Sequence, residues 1–280
     1  MAMINIRSVQ LFHEVFGDHG PWMALNTGGR RSSEEMAPLA KLIAAQGFRV
    51  LIHDRRNTGR SSIVIDDMGG LSEEEIWADD LHALMQHYNA LPAFFCGTSA
   101  GARLCMLVKR RHPDAVKGLL LARVTGGEFA AGRLPNMYYG QFIKAAQEGG
   151  MAAVCATDTY RDRLASNPVN RDYMMGLSAA HYIDVMTRWR TAFTSGPKGP
   201  VMGIPEAELA AYKLPVIVVP GNDKTHASVN GQACAALIPN SELFELPIQD
   251  QDVDLISFTA WAEHYSAMAE KFSAFMRKHS

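Results

Sequence analysis

Short apolar runs alternate with amphipathic stretches over most of the chain. Residues 22–26, 49–53, 93–96, 117–121 and 216–219 are apolar at their centres and too short for helices, which suits strands buried on both faces. Residues 9–16 alternate loosely and end at Gly17-Asp18, as a half-exposed edge strand does. Between these runs, 32–45 and 72–88 carry a helical pattern. Each opens with S-x-x-E, Ser32 with Glu35 and Ser72 with Glu75, the sequence form of a capping box. Strand, helix, strand, helix predicts a mostly parallel sheet with helices on both faces, joined by right-handed crossovers: an α/β protein.

After Leu121 the alternation stops. Residues 123–202 read as helices broken at Gly126-Gly127, Gly149-Gly150, Asn167-Pro168 and 195–200. Strand character returns at 216–219, followed by a helix near 228–237, a strand at 243–246 and a last helix ending near Lys278. The expected organisation is therefore a core of residues 1–122 and 203–280 with a helical insertion, 123–202, between two of its strands.

Composition narrows the class of partner. With 280 residues, 48% of them hydrophobic, the chain can bury a large single core. Its 27 basic and 29 acidic side chains are dispersed, so neither a nucleic acid nor a membrane surface is an expected partner. A small molecule is, and homodimer formation stays open. Cys96, Cys105, Cys155 and Cys234 show no C-x-x-C spacing and sit in apolar contexts, which predicts buried thiols in a reducing compartment. No signal-like or membrane-length apolar run is present, and a soluble cytoplasmic protein is expected.

The chemistry concentrates at Gly97-Thr98-Ser99-Ala100-Gly101, a G-x-S-x-G pentapeptide between the run 93–96 and the helix-like stretch 102–111. A strand turning sharply into a helix exposes the serine hydroxyl and aims the first helical N–H groups at whatever reacts there. The plain alternative is a small-residue turn in which Ser99 only caps the helix. What distinguishes this pentapeptide from a chance G-x-S-x-G is the apolar run directly before it and the helix-like stretch directly after it.

In this order of elements and motifs the chain resembles the α/β-hydrolase family over nearly its whole length, with the insertion in the place of that family's cap. Residues 53–61, His53-Asp54-Arg55-Arg56-Asn57-Thr58-Gly59-Arg60-Ser61, resemble the family's D-x-R-G-x-G-x-S segment, with Asn57 for a glycine; a structural turn is expected there. Leu25-Asn26-Thr27-Gly28-Gly29 stands where the family has its H-G-x-G loop, with threonine for histidine. The resemblance implies that the N–H groups of Gly29 and Ala100 face a developing oxyanion. It also makes Asp223, after the run 216–219, the residue that orients a histidine; a turn-capping aspartate is the alternative.

Of 10 histidines only His226, His264 and His279 follow Asp223, as the family's order of serine, acid and histidine requires. His264 is the expected base because it follows the last strand. His226 is the alternative, close to Asp223 in sequence but expected to reach poorly across to Ser99. Asp250, Asp252 and Asp254 alternate like the start of a calcium loop, but Leu255 and Trp261 stand where glycine and glutamate are needed, so no metal site is expected. Arg103 could anchor the elbow helix, and Arg123 either meets a substrate carboxylate or forms a structural ion pair.

The expected activity is a cofactor-free Ser99–His264–Asp223 hydrolase acting on an ester, lactone or thioester of a small, largely apolar substrate. Hydrolysis of a carbon–carbon bond in an activated ketone is the alternative chemistry, and a non-catalytic ligand-binding protein on the same fold is the alternative class.

Overall fold

The apolar runs become the central strands of a sheet in the computed structural model, which describes residues 2–280. Its strands are β1 (Ala2–Ile6), β2 (Val9–Phe16), β3 (Trp22–Asn26), β4 (Arg49–His53), β5 (Ala93–Thr98), β6 (Val116–Ala122), β7 (Val216–Val219) and β8 (Glu242–Leu243). They form an 8-stranded sheet in the order β1-β2-β4-β3-β5-β6-β7-β8. Strand β2 runs antiparallel to both β1 and β4, and β3 to β8 are parallel. The order reverses between β4 and β5, so the loops after β3 and β5 meet at one edge crevice, where open α/β sheets bind ligands.

Helices cover both faces. On one, α1 (Ala37–Ala44) and α11 (Tyr265–Lys278) bury Leu39, Ile43, Met268 and Phe272 against Val50, Phe94 and Ile217. On the other, α2 (Glu73–His87), α3 (Ala100–Arg111) and α10 (Ser228–Leu237) bury Trp77, Leu81, Cys105 and Cys234 against Leu51, Phe95 and Leu121. Central strands are therefore apolar on both sides, which is why they read as continuous runs. All four cysteines are buried free thiols.

Between β6 and β7 the chain folds into α4 (Gly127–Pro135), α5 (Gln141–Ala156), α6 (Asp158–Ser166), α7 (Asn170–Gly176) and α8 (Ala179–Thr194), and before β7 lies the short α9 (Glu206–Ala210). The inserted helices have an apolar core of their own, in which Tyr139, Phe142, Tyr160, Tyr182 and Trp189 pack together with Ile63, Ile65 and Ile76 of the sheet domain. Asn170 ties the two parts further, accepting from the Ile63 N–H at 2.9 Å and donating to Ser61 O at 3.1 Å. Among the described residues no helix is long and apolar enough to cross a membrane.

Local sequence signals fared unequally. Ser72 and Glu75 form the full capping box at the start of α2. Ser32 does not: its hydroxyl caps a turn of 3-10 helix, while the Glu35 carboxylate turns away to accept from Thr27 and Arg31. The strand expected at 243–246 pairs only over Glu242–Leu243, and β1 adds an edge strand that the pattern near the N-terminus had not announced.

Candidate active site

Ser99 sits at the junction of β5 and α3 with φ 56° and ψ −121°, a conformation that costs a non-glycine residue about 1–3 kcal/mol. The turn survives because neighbours over-determine it. The Ser99 N–H donates to Ala122 O at 3.0 Å, and Ser99 O accepts from the N–H groups of Ala102 and Arg103. A Cβ on Gly101 would lie 2.4 Å from Asn26 O, and one on Gly97 2.3 Å from the Gly101 carbonyl carbon. Only glycines let α3 settle against the end of β3 and hold the serine above the sheet.

The loop after β3 is held from below. Arg55, buried and lying 4.6 Å from the Trp77 ring centroid, donates to Gly28 O at 3.3 Å and to Gly29 O at 2.5 Å. In a trans peptide the N–H points opposite to the preceding carbonyl, so the Gly28 carbonyl facing Arg55 turns the Gly29 N–H the other way. Ala100 opens α3, and its N–H has no acceptor within the helix. The segment 53–61 is the buttress of this loop: buried Asp54 accepts from the Ser33 N–H at 2.6 Å, the Ser33 hydroxyl at 2.7 Å and the Arg60 N–H at 2.8 Å.

The histidine that meets Ser99 is His226. Its Nε2 lies 2.7 Å from Ser99 Oγ, and its Nδ1 lies 2.9 Å from Asp223 Oδ1. Asp223 also accepts the His226 backbone N–H at 2.8 Å, a tight turn that folds the imidazole back over its own loop and toward the elbow. His264 is not brought to Ser99 or Asp223. It ends the 3-10 helix Phe258–His264 and its imidazole pairs with Glu263 at 3.8 Å, which corrects the expectation that it would face the serine. The reason lies in the segment after β8. It passes the site before it reaches His264, and it presents Leu255, Ile256, Ser257 and Phe258 to the cavity, with the Ile256 N–H 2.9 Å from Asp223 Oδ2. The signal available in the sequence was the D-x-x-H spacing of Asp223 and His226, which a turn can close on itself.

Arg123, at the end of β6 with φ 51°, is the residue whose place the sequence left open. Its buried guanidinium donates from Nη2 to Asp223 Oδ2 at 2.7 Å and to Ile256 O at 2.5 Å, and the same nitrogen stands 3.3 Å from His226 Nδ1. Since Nδ1 carries the proton that bonds Asp223, this last approach brings a cation close to the imidazole without a lone pair to meet it. Burial alone would raise the Asp223 carboxyl; the bond from His226, the Ile256 N–H and the charge of Arg123 outweigh it and hold the group well below the usual carboxylate range. His226 is pushed down, first by burial and then by Arg123, against the opposing pull of Asp223. A neutral imidazole is thereby favoured, with its Nε2 lone pair toward Ser99. Thr125, also buried, places its hydroxyl 3.1 Å from Ser99 Oγ, a neighbour the sequence reading did not anticipate.

Arg103 makes an ion pair with Glu74 of α2 at 2.6 Å and lies over the Phe193 ring of α8, so it braces the elbow helix against the insertion. Asp250 accepts from the Ser228 hydroxyl and Asp252 pairs with Lys224, each at the surface of the loop that delivers Ile256. A cavity of about 140 Å³ opens beside Ser99 and His226. Gly28, Gly29 and Thr98 wall it from the sheet domain, and Arg133, Leu134, Met137 and Tyr138 wall it from the insertion.

Residues 21–124 match the family described as serine aminopeptidase, S33. A bifunctional esterase/perhydrolase from Acinetobacter calcoaceticus is 24% identical over 263 residues, covering 85% of this chain and 88% of its own. A proline iminopeptidase from Lactobacillus helveticus is 22% identical over 240 residues, covering 76% and 78%. Among solved structures, an enol-lactonase from Burkholderia xenovorans LB400 superposes with a TM-score of 0.65 at 18% identity, over 99% of this chain and 100% of that one. Likeness that spans the whole sheet and nearly all of both chains shows that this chain has the α/β-hydrolase fold.

Proposed function

We propose that the protein is a serine hydrolase that cleaves an ester or lactone of a small carboxylic acid, with Ser99 as nucleophile, His226 as base and Asp223 as the residue that orients the base. The observation that carries this reading is the continuous pair of contacts from Ser99 Oγ to His226 Nε2 at 2.7 Å and from His226 Nδ1 to Asp223 Oδ1 at 2.9 Å, at the wall of a cavity. Ser99 Oγ gives its proton to His226 Nε2 as it attacks the carbonyl carbon. Asp223 fixes the Nδ1–H tautomer and stabilises the imidazolium that forms. The N–H groups of Gly29 and Ala100 receive the oxyanion, each such donor being worth about 3 kcal/mol of barrier. His226 then returns the proton to the leaving alkoxide, and water, deprotonated by the same base, releases the acid. Thr125 can donate to Ser99 Oγ while Ser99 donates to His226, which keeps the nucleophile in one rotamer.

The helical insertion forms the far wall of the site and sets what fits. The named activities of the relatives, esterase, lactonase and iminopeptidase, all pass through a tetrahedral intermediate at an acyl carbon, and the small cavity favours short acyl groups. The test is turnover of p-nitrophenyl acetate and short-chain lactones by Ser99→Ala, His226→Ala and His264→Ala. The first two should lower kcat by about 10³-fold or more, and the third should stay within a few-fold of wild type. If His264→Ala abolishes turnover while His226→Ala retains it, the assignment of the base is wrong. A wild-type protein inert to esters, lactones and fluorophosphonate labelling would instead be a ligand-binding member of the fold.

A further inference from the structure

Four guanidinium groups stand on the wall of the cavity beside Ser99: Arg30, Arg31, Arg123 and Arg133. Carboxylates neutralise three of them. Arg30 pairs with Glu73, Arg31 with Glu35, and Arg123 with Asp223. Arg133, on α4 of the insertion, makes no ion pair among the described residues; its polar contact is from Nη1 to the neutral hydroxyl of Thr225, at 3.3 Å. Thr225 directly precedes His226, so this cation stands at the flank of the base. A guanidinium has five N–H donors, and here most are left for whatever enters the cavity. With His226 neutral, the walls carry one uncompensated positive charge in a site partly shielded from water, where a charge is screened less than at an open surface.

We propose that Arg133 is a carboxylate-binding residue, so that the natural substrate is a monoanion carrying a free carboxylate in addition to the ester or lactone it presents to Ser99. The proposal rests on the hydrolase reading above and goes further by naming the substrate class. One unpaired cation matches one negative charge. The apolar neighbours Leu134, Met137 and Leu255 suit the short hydrocarbon link between the two functional groups rather than a second charge. A planar guanidinium also meets a carboxylate with two parallel hydrogen bonds, fixing the substrate's orientation as well as its charge.

Two pairs of near-isosteric substrates test this: acetoxyacetate against acetoxyacetamide, and monomethyl succinate against methyl succinamate, with hydrolysis followed by pH-stat titration. Wild type should favour the anion in at least one pair. In that pair Arg133→Met should lower the anion-to-amide ratio of kcat/KM by about 10- to 100-fold, the effect of one charged hydrogen-bonded contact, and Arg133→Lys should restore part of it. Lys198→Met, which removes a charge from the outer surface of the insertion, should leave the ratio within about twofold. A ratio that Arg133→Met does not change in either pair would overturn the proposal. Should wild type turn over no ester at all, the hydrolase reading fails separately. Calorimetric titration with acetoxyacetate then decides: binding to wild type that Arg133→Met abolishes supports the carboxylate site, and binding that is equal or absent in both refutes it.

Discussion

Removing the charge of Arg123 should move the pH dependence of catalysis without removing any reacting group. Its Nη2 stands 3.3 Å from His226 Nδ1 and 2.7 Å from Asp223 Oδ2, and the guanidinium is buried. Two unit charges about 4 Å apart in an effective dielectric of about 20 interact by about 4 kcal/mol, close to 3 pKa units. The Asp223 carboxylate, between them in charge, takes up part of that field. Arg123→Met should therefore raise the pKa of His226 by about 1–2 units. In the role proposed for it His226 works only when neutral, so the acid limb of kcat/KM should shift upward by the same amount. On the acid side of both limbs the loss should approach the roughly 10- to 100-fold that about 1–2 units imply, and it should vanish at alkaline pH, where His226 is neutral in both proteins. The assay is the pH profile of kcat/KM for a neutral ester, whose own charge does not change. A limb that stays in place, or one that moves to lower pH, would refute the claim that Arg123 holds the imidazole neutral. A uniform loss at every pH would show that Arg123 acts only by holding Ile256 and its loop.

Two further outcomes concern stability. His53, buried with neither ring nitrogen partnered among the described residues, is pushed down to about 3 by burial and by the nearby charge of Arg55. An unfolded histidine takes a proton near pH 6.5, so between that pH and about 3 the unfolded chain binds more protons and stability falls as pH falls, by about 1.4 kcal/mol per unit from this group. Urea midpoints at pH 7 and pH 5 should separate less in His53→Gln than in wild type, and equal separations would falsify the assignment. Glu73 takes Arg30, a bond from Asn57 at 3.0 Å and one from the Tyr139 hydroxyl at 3.2 Å, while Arg30 itself lies among the rings of Trp77, Tyr138 and Tyr139. Glu73→Ala strands that cation beneath the insertion and should cost about 3–5 kcal/mol in chemical denaturation. A loss below about 1 kcal/mol would mean that the pair is relieved by water.

The chain's own pattern determined the central strands of the sheet, the helices that cover them and the serine on its elbow, because each is a local matter; the edge strand β1 and the short pairing of β8 were not legible in it. A strand buried on both faces must be apolar over its length, a helix shows its covered face in its spacing, and the turn at Ser99 requires Gly97 and Gly101 where a side chain would strike backbone. Asp223 was legible only through the resemblance, which implies an acid after the run 216–219; in the structure its carboxylate stands 2.9 Å from His226 Nδ1. Tertiary structure alone decided which histidine reaches Ser99 and what Arg123 and Arg133 face. Those outcomes depend on how three loops, after β6, β7 and β8, pack at one end of the sheet. The loop after β8 fills the space beside Asp223 with Ile256 and carries His264 past it, while the turn from Asp223 to His226 closes on itself and delivers the nearer ring. Chain order ranks the histidines by position along the sequence. Contact is settled by which backbone fits beside the carboxylate, and that competition between distant segments leaves no periodicity to read.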